Sequence, residues 1–375
     1  MTRGDNARGR RRLAAVLLAL PALGALELVL RAVGFQYPPL PPIIVWNAKE
    51  DADLMRATAL HQIDPRTLWS PRPGAEVPWG DDERVGAQGF RGRDPDPEAR
   101  PRVLALGDSS TFGYGVRGEE TWAARLETAL ARELPRAQVV NGGLIGSTIE
   151  QGWQRYLAVR ERWRPDVVVL AFGAINEHWP SSGLDDASKL AQLRQAGGAR
   201  RPSPLARLRA ELRIVQLAAW VADQPRGGRG GLLQERAQSG ARDVGTYLEP
   251  GYLRRVSPEQ FEAALERFRA ALAADGACTV LLRMPRRVAT EEERPAVLDY
   301  DPRLADFAAR TGTPLVDAHE DFRAAPDGEA ALFVDPYHPS ALGHERLARQ
   351  LLPAVRGCLE GASASLSSAG DQSAK

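Results

Sequence analysis

Four short stretches of this chain place reactive or polar side chains at the ends of apolar runs. Gly107-Asp108-Ser109-Ser110-Thr111 follows Val103–Leu106, and Asn141-Gly142-Gly143 follows Ala137–Val140. Asn176-Glu177 stands just beyond Asp166–Phe172, and Asp335-Pro336-Tyr337-His338-Pro339 precedes the last helical pattern. A serine hydroxyl is a weak nucleophile until a base takes its proton, and a histidine with near-neutral pKa is suited to accept and later return it. A carboxylate beside that histidine fixes its tautomer and stabilises the imidazolium. Side-chain amides and turn N–H groups can receive the negative oxygen that forms when a carbonyl is attacked.

Each stretch alone has a plainer reading. Asp-Ser is an ordinary helix N-cap, and Asn-Gly-Gly is what any tight turn uses. The combination is more specific. Of the five histidines (His61, His178, His319, His338, His344), His338 lies in a turn three residues after a carboxylate. His344, in the helix that follows, reads as structural. Gly113-Tyr-Gly-Val-Arg-Gly118 matches a dinucleotide fingerprint by letter, but Asp108 to Phe112 separate it from the strand it would have to follow.

The elements that must position these residues are legible as a series. Apolar runs near 103–106, 137–140, 166–172, 278–284 and 314–317 read as strands. Helical patterns lie between them: 119–134, 148–160, 257–275 and 303–310, then 340–356 at the end. Ser257-Pro-Glu-Gln260 carries an N-cap serine, a first-turn proline and a capping-box glutamine, and Gly276 closes that helix. Five strands alternating with helices imply a parallel sheet covered on both faces, a three-layer α/β/α sandwich. Ligands of such sheets sit at the carboxyl ends of the strands, where the first three stretches fall.

Outside this domain, Arg8, Arg10, Arg11 and Arg12 precede Leu13–Leu30, an apolar run interrupted by Pro21, Gly24 and Glu27. Its length approaches what crosses a hydrocarbon core of about 30 Å, and the basic flank marks residues 1–12 as a cytoplasmic tail. Residues 13–33 are therefore expected to be a transmembrane signal anchor, with the remainder outside the cytoplasm. A cleaved signal peptide and a secreted product is the alternative. Residues 34–100, rich in proline, read as a stalk followed by irregular structure that is ordered in its later half. Residues 181–256 break the strand–helix pattern as an insertion, a surface excursion or a lid. The Ser-, Ala- and Gly-rich residues 359–375 are expected to be disordered.

Composition narrows the function classes. Forty-nine basic residues balance 48 acidic ones, which removes the footprint of a nucleic-acid binder. Cys278 and Cys358 cannot form a Cys-rich metal site; one disulfide or two free thiols both remain open. No metal or other cofactor is expected, because His178 and His319 lack partners at metal-ligand spacing and no phosphate-binding glycine–lysine loop is present.

In order and separation, the four stretches resemble the signature blocks of the SGNH/GDSL hydrolase family, over about Arg102–Arg356. The lead-in and anchor are similar to those of membrane-anchored bacterial members. The resemblance implies a flavodoxin-like fold, 101–358 here, and a serine esterase acting on a carbohydrate, lipid or small-molecule ester. It implies Ser109 as nucleophile with His338 and Asp335 completing the triad, and Ser109, Gly143 and Asn176 as oxyanion-hole donors. The third block departs from the family's G-x-N-D: Ala174-Ile-Asn176-Glu177 keeps the spacing but substitutes alanine and glutamate, which puts the aim of Asn176 in question. An O-acyltransferase of envelope glycans on the same fold is the rival reading, and a non-catalytic envelope-binding module is the other.

Overall fold

A computed structural model describes residues 20–35, 37, 60–64, 66–173, 175–179, 181, 184–195, 208, 211–226, 253–326 and 328–372. The basic tail, the first part of the expected anchor, most of the stalk and much of the insertion on either side of residues 211–226 lie outside these. Two compact units form, one from residues 1–59 and 199–239 and the other from 60–198 and 240–375.

In the larger unit all five expected strands pair in parallel. They are β3 (Arg102–Gly107), β4 (Gln138–Asn141), β5 (Val167–Ala171), β6 (Cys278–Arg283) and β7 (Leu315–Asp317), in the spatial order β4-β3-β5-β6-β7. The order reverses between β3 and β5, which makes a crevice at their carboxyl ends. Period-two alternation divides the core. Val103, Ala105, Val167, Val169, Val280 and Leu282 face the helices Trp122–Ala131 and Ala341–Gln372. Leu104, Leu106, Val168, Leu170 and Leu281 face Ile149–Trp163, Pro258–Ala274 and Tyr300–Thr311. Both faces are apolar because both are covered, so the strands read as continuous apolar runs. The capping box at Ser257 forms as expected, with Ser257 Oγ accepting from Gln260 N and the Gln260 side chain accepting from Ser257 N.

Several expectations need correction. The later lead-in is not irregular throughout: β1 (His61–Asp64) and β2 (Leu68–Pro71) form an antiparallel hairpin. Leu60, Ala75, Val77 and Val85 build a small core around Phe112, beside Ser109. The segment expected to be disordered is helical up to Gln372, continuing Ala341–Gln372; serine and alanine carry little helix penalty once a packed helix has paid for nucleation. Within the expected anchor, residues 20–32 are helical, but among the described residues no helix is long and apolar enough to cross a membrane. The insertion is divided, its ends belonging to the larger unit and its middle to the smaller. The cysteines, left open by sequence, are bridged: Cys278 at the start of β6 joins Cys358 in the last helix, with Cα atoms 5.7 Å apart.

Candidate active site

The nucleophile candidate is placed by a sharp strand-to-helix turn. β3 ends at Gly107, and extended Asp108 caps the short helix Ser109–Phe112, its Oδ1 accepting from Ser110 N at 2.9 Å. Ser109 Oγ then lies 2.7 Å from His338 Nε2. On the other side of the ring, Nδ1 is 2.6 Å from Asp335 Oδ2, while Asp335 Oδ1 accepts the N–H groups of Tyr337 (2.9 Å) and His338 (2.8 Å). Burial pushes the Asp335 carboxyl up, but the His338 charge and these donors outweigh it and hold the group below the usual carboxylate range. An ionised Asp335 draws the proton to Nδ1 and leaves Nε2 free to accept from Ser109.

The expected oxyanion donors fare differently. Asn176 is fully buried, and its Nδ2 donates to Asp108 Oδ2 at 3.0 Å, which leaves the second amide hydrogen for another acceptor. The substituted Glu177 also has a defined place. Its two oxygens accept from Ile149 N (3.0 Å) and Gly173 N (3.2 Å), so it ties the loop after β5 back to the start of the helix Ile149–Trp163. Burial first, then the nearby Asp108 charge, pushes Glu177 up to about 7. Ala174 lies outside the described residues.

Gly143 does not keep the role the resemblance implied. Its N–H donates to Asn141 Oδ1 at 3.0 Å, and a Cβ there would stand 2.2 Å from Phe112 N. It is a close-packing glycine under the Ser109–Phe112 turn. Further along the loop Gly146 sits at φ +73°, a conformation natural to glycine, and its N–H has no acceptor among the described residues. Leu144 N and Ser147 Oγ both donate to Gly107 O, at 3.0 and 3.1 Å, and so hold this part of the loop against the end of β3.

Sequence reasoning missed the part played by the lead-in. Arg91, itself buried, donates through Nη1 to the carbonyls of Phe112 (2.7 Å) and Gly113, and through Nη2 to that of Val116 (2.6 Å). Glu83 holds the other edge of its guanidinium at 3.0 and 2.8 Å. Trp79 Nε1 donates to Gly113 O at 3.0 Å and its ring lies 4.7 Å from that of Tyr114, which in turn lies 4.5 Å from the His338 ring. The one signal available was aromatic content, which argued for order without naming partners.

Two other histidines behave structurally. Burial, reinforced by the Arg91 charge, lowers His344 to about 3, and its Nδ1 accepts from Trp122 N at 3.1 Å. His319, which sequence spacing left alone, comes together with Glu291 and Asp301 in space. Arginines already hold both acids: Asp301 bonds Arg283 and Arg286, and Glu291 pairs with Arg286 and Arg323.

The sequence model of the GDSL-like lipase/acylhydrolase family matches residues 105–346, more than half of the chain, and the chain belongs to that family. The domain is that of a serine hydrolase acting on ester bonds. An arylesterase of Vibrio mimicus is 32% identical over 77 residues, which cover 20% of this chain and 38% of that protein. Among solved structures, LAE5, an alpha/beta hydrolase enzyme from the metagenome of Lake Arreo, Spain, is 21% identical with a TM-score of 0.43, covering 70% of this chain and 97% of its own. The lipase/acylhydrolase of Enterococcus faecalis is 17% identical with a TM-score of 0.40, covering 68% and 95%. The acetylxylan esterase Axe2 of Geobacillus stearothermophilus is 19% identical with a TM-score of 0.40, covering 68% and 94%.

Proposed function

We propose that this chain hydrolyses a carbohydrate or lipid ester through an acyl-serine on Ser109. The observation that carries the reading is the continuous line of contacts Ser109 Oγ–His338 Nε2–Asp335 at 2.7 and 2.6 Å. His338 takes the Ser109 proton as the hydroxyl attacks the ester carbonyl, then gives it to the departing alcohol. Water, deprotonated by the same imidazole, cleaves the acyl-serine. Ser109 N–H and Asn176 Nδ2 receive the tetrahedral oxyanion, with Gly146 N–H in the place first given to Gly143; each donor contributes on the order of 10²–10³ in rate. The rings of Tyr114 and Tyr337 beside His338, with Trp79 against Tyr114, offer an apolar wall for a sugar ring or acyl chain.

The disulfide fits an oxidising compartment outside the cytoplasm. With it, the basic and apolar N-terminus supports an inner-membrane anchor that leaves the catalytic domain on the far side. The test is turnover of a chromogenic short-chain ester, with and without a sugar acceptor, by the full chain and its Ser109→Ala variant. Hydrolysis without acceptor, lost in the variant, is the expected result. Acceptor-dependent release would make it a transferase, and turnover retained in Ser109→Ala would remove the assignment.

A further inference from the structure

Among its described residues, the smaller unit exposes many large apolar side chains, with Leu30 buried, and encloses polar ones. Its helix 20–32 exposes Leu20, Leu28 and Val29, Leu28 to 69%, while the carboxylate of Glu27 is turned inward. The helix Arg213–Asp223, from the middle of the insertion, exposes Trp220 and Val221 and buries Gln216 to 1%. Polar groups join the two segments. Glu27 Oε2 accepts from Ile214 N at 2.9 Å, at the start of the second helix, and Arg31 Nη2 donates to Glu211 O at 2.9 Å. Gln216 Oε1 accepts from Tyr37 N at 2.7 Å.

Water favours the opposite arrangement, with apolar groups buried and charges outside. Hydrocarbon demands the one seen here, because polar atoms must find partners within the protein. The exposed side chains of helix 20–32 run around most of its circumference, where a protein partner would need one seam. Arg8, Arg10, Arg11 and Arg12, just before the apolar run, suit anionic headgroups. The helix Arg213–Asp223 has 11 residues. At about 1.5 Å per residue it reaches roughly half a hydrocarbon core, too short to cross.

We propose that Arg213–Asp223 is a second membrane element, seated in one leaflet beside the N-terminal helix and joined to it through Glu27, so that the chain holds the bilayer at two points far apart in sequence. The interrupting Glu27 is then the acceptor that caps the second helix. The insertion serves as a membrane foot and not as a lid. This rests on the reading of the N-terminus as an anchor.

The experiment compares the full chain with its Trp220→Phe variant on phosphatidylethanolamine/phosphatidylglycerol vesicles, with and without brominated acyl chains. Flotation reports binding, and bromine quenching reports tryptophan in the hydrocarbon. Both proteins should float, and at least half of the quenching should vanish in Trp220→Phe. Flotation with quenching unchanged in the variant would overturn the second element and leave the anchor standing. Failure to float would remove both, and a lipid-independent dimer without quenching would assign the apolar surface to a second copy and overturn the proposal.

Discussion

Asn176 Nδ2 donates to Asp108 Oδ2 at 3.0 Å, with both side chains buried. The residue that caps the Ser109 helix therefore also positions the amide proposed to meet the oxyanion. Burial pushes the Asp108 carboxyl above its ordinary range, with the Ser110 N–H, the His338 charge and the Asn176 amide pulling the other way.

If Asp108 acts through Asn176, the two losses overlap. Asn176→Ala should lower kcat by on the order of 10²–10³ with KM little changed. Asp108→Ala should give a smaller fall in kcat, and the double variant should be no slower than Asn176→Ala. Steady-state kinetics on the three proteins decide it; multiplying losses would show that Asp108 works by another route.

The proposed triad predicts a particular pattern for Asp335→Asn. The substitution leaves the backbone turn in place but removes the charge that keeps the proton on Nδ1 of His338. A fall in kcat on the order of 10³–10⁴ is expected, with the far-UV circular dichroism spectrum preserved. A loss of tenfold or less would mean that His338 is held by its surroundings without Asp335.

Much of this was legible before the structure. All five strands could be read, because a doubly covered parallel sheet writes itself as short apolar runs, and the candidates Ser109, Asp335 and His338, picked out from the ends of such runs, come within contact distance of one another. What escaped lies in contacts that side-chain identity does not encode. An oxyanion donor is a backbone N–H, and any glycine in Asn141–Gly146 could supply it; the distinction between Gly143 and Gly146 rests on Asn141 turning back to occupy one of them. The grip of Arg91 on the Phe112 turn is invisible because loop charges ordinarily face water. The hairpin His61–Pro71 carried no period-two signal, since every residue of Leu68–Pro71 is buried.

Glu177 makes stability depend on pH in a direction unusual for a carboxylate. Its folded pKa, about 7, lies above the ordinary glutamate value of 4.5. Between these values the native state holds a proton that the unfolded chain has lost, so this group's contribution weakens as pH rises through the window and is most favourable below it. Comparing melting temperatures of the chain and Glu177→Gln from pH 4.5 to 8 isolates the effect. The wild type should lose stability relative to the variant as pH rises, and parallel curves would refute the shift.

The bridge Cys278–Cys358 closes a separation of 80 residues between β6 and the last helix. Reduction, or Cys278→Ser with Cys358→Ser, should cost about 2–5 kcal/mol, read as a lower denaturant midpoint with native activity below it. An unchanged midpoint would show that the helix docks equally well without the link.

Arg91 gives the sharpest test of how the lead-in supports catalysis. The residue is 3% exposed, and its guanidinium joins Glu83 to three carbonyls just beyond Ser109. Arg91→Ala leaves a carboxylate and those carbonyls without their donor, and breaking a buried pair in this way costs about 3–5 kcal/mol. Arg91→Lys keeps the charge but lacks the planar fork that serves both sides at once. Melting should therefore fall by roughly 6–10 °C in the alanine variant and by less in the lysine variant. The turn that presents Ser109 loses its clamp in both, so kcat should drop in each even at temperatures where both stay folded. Full kcat in a folded Arg91→Lys protein would mean that the fork matters for stability alone and that the Ser109 turn holds its shape without the lead-in.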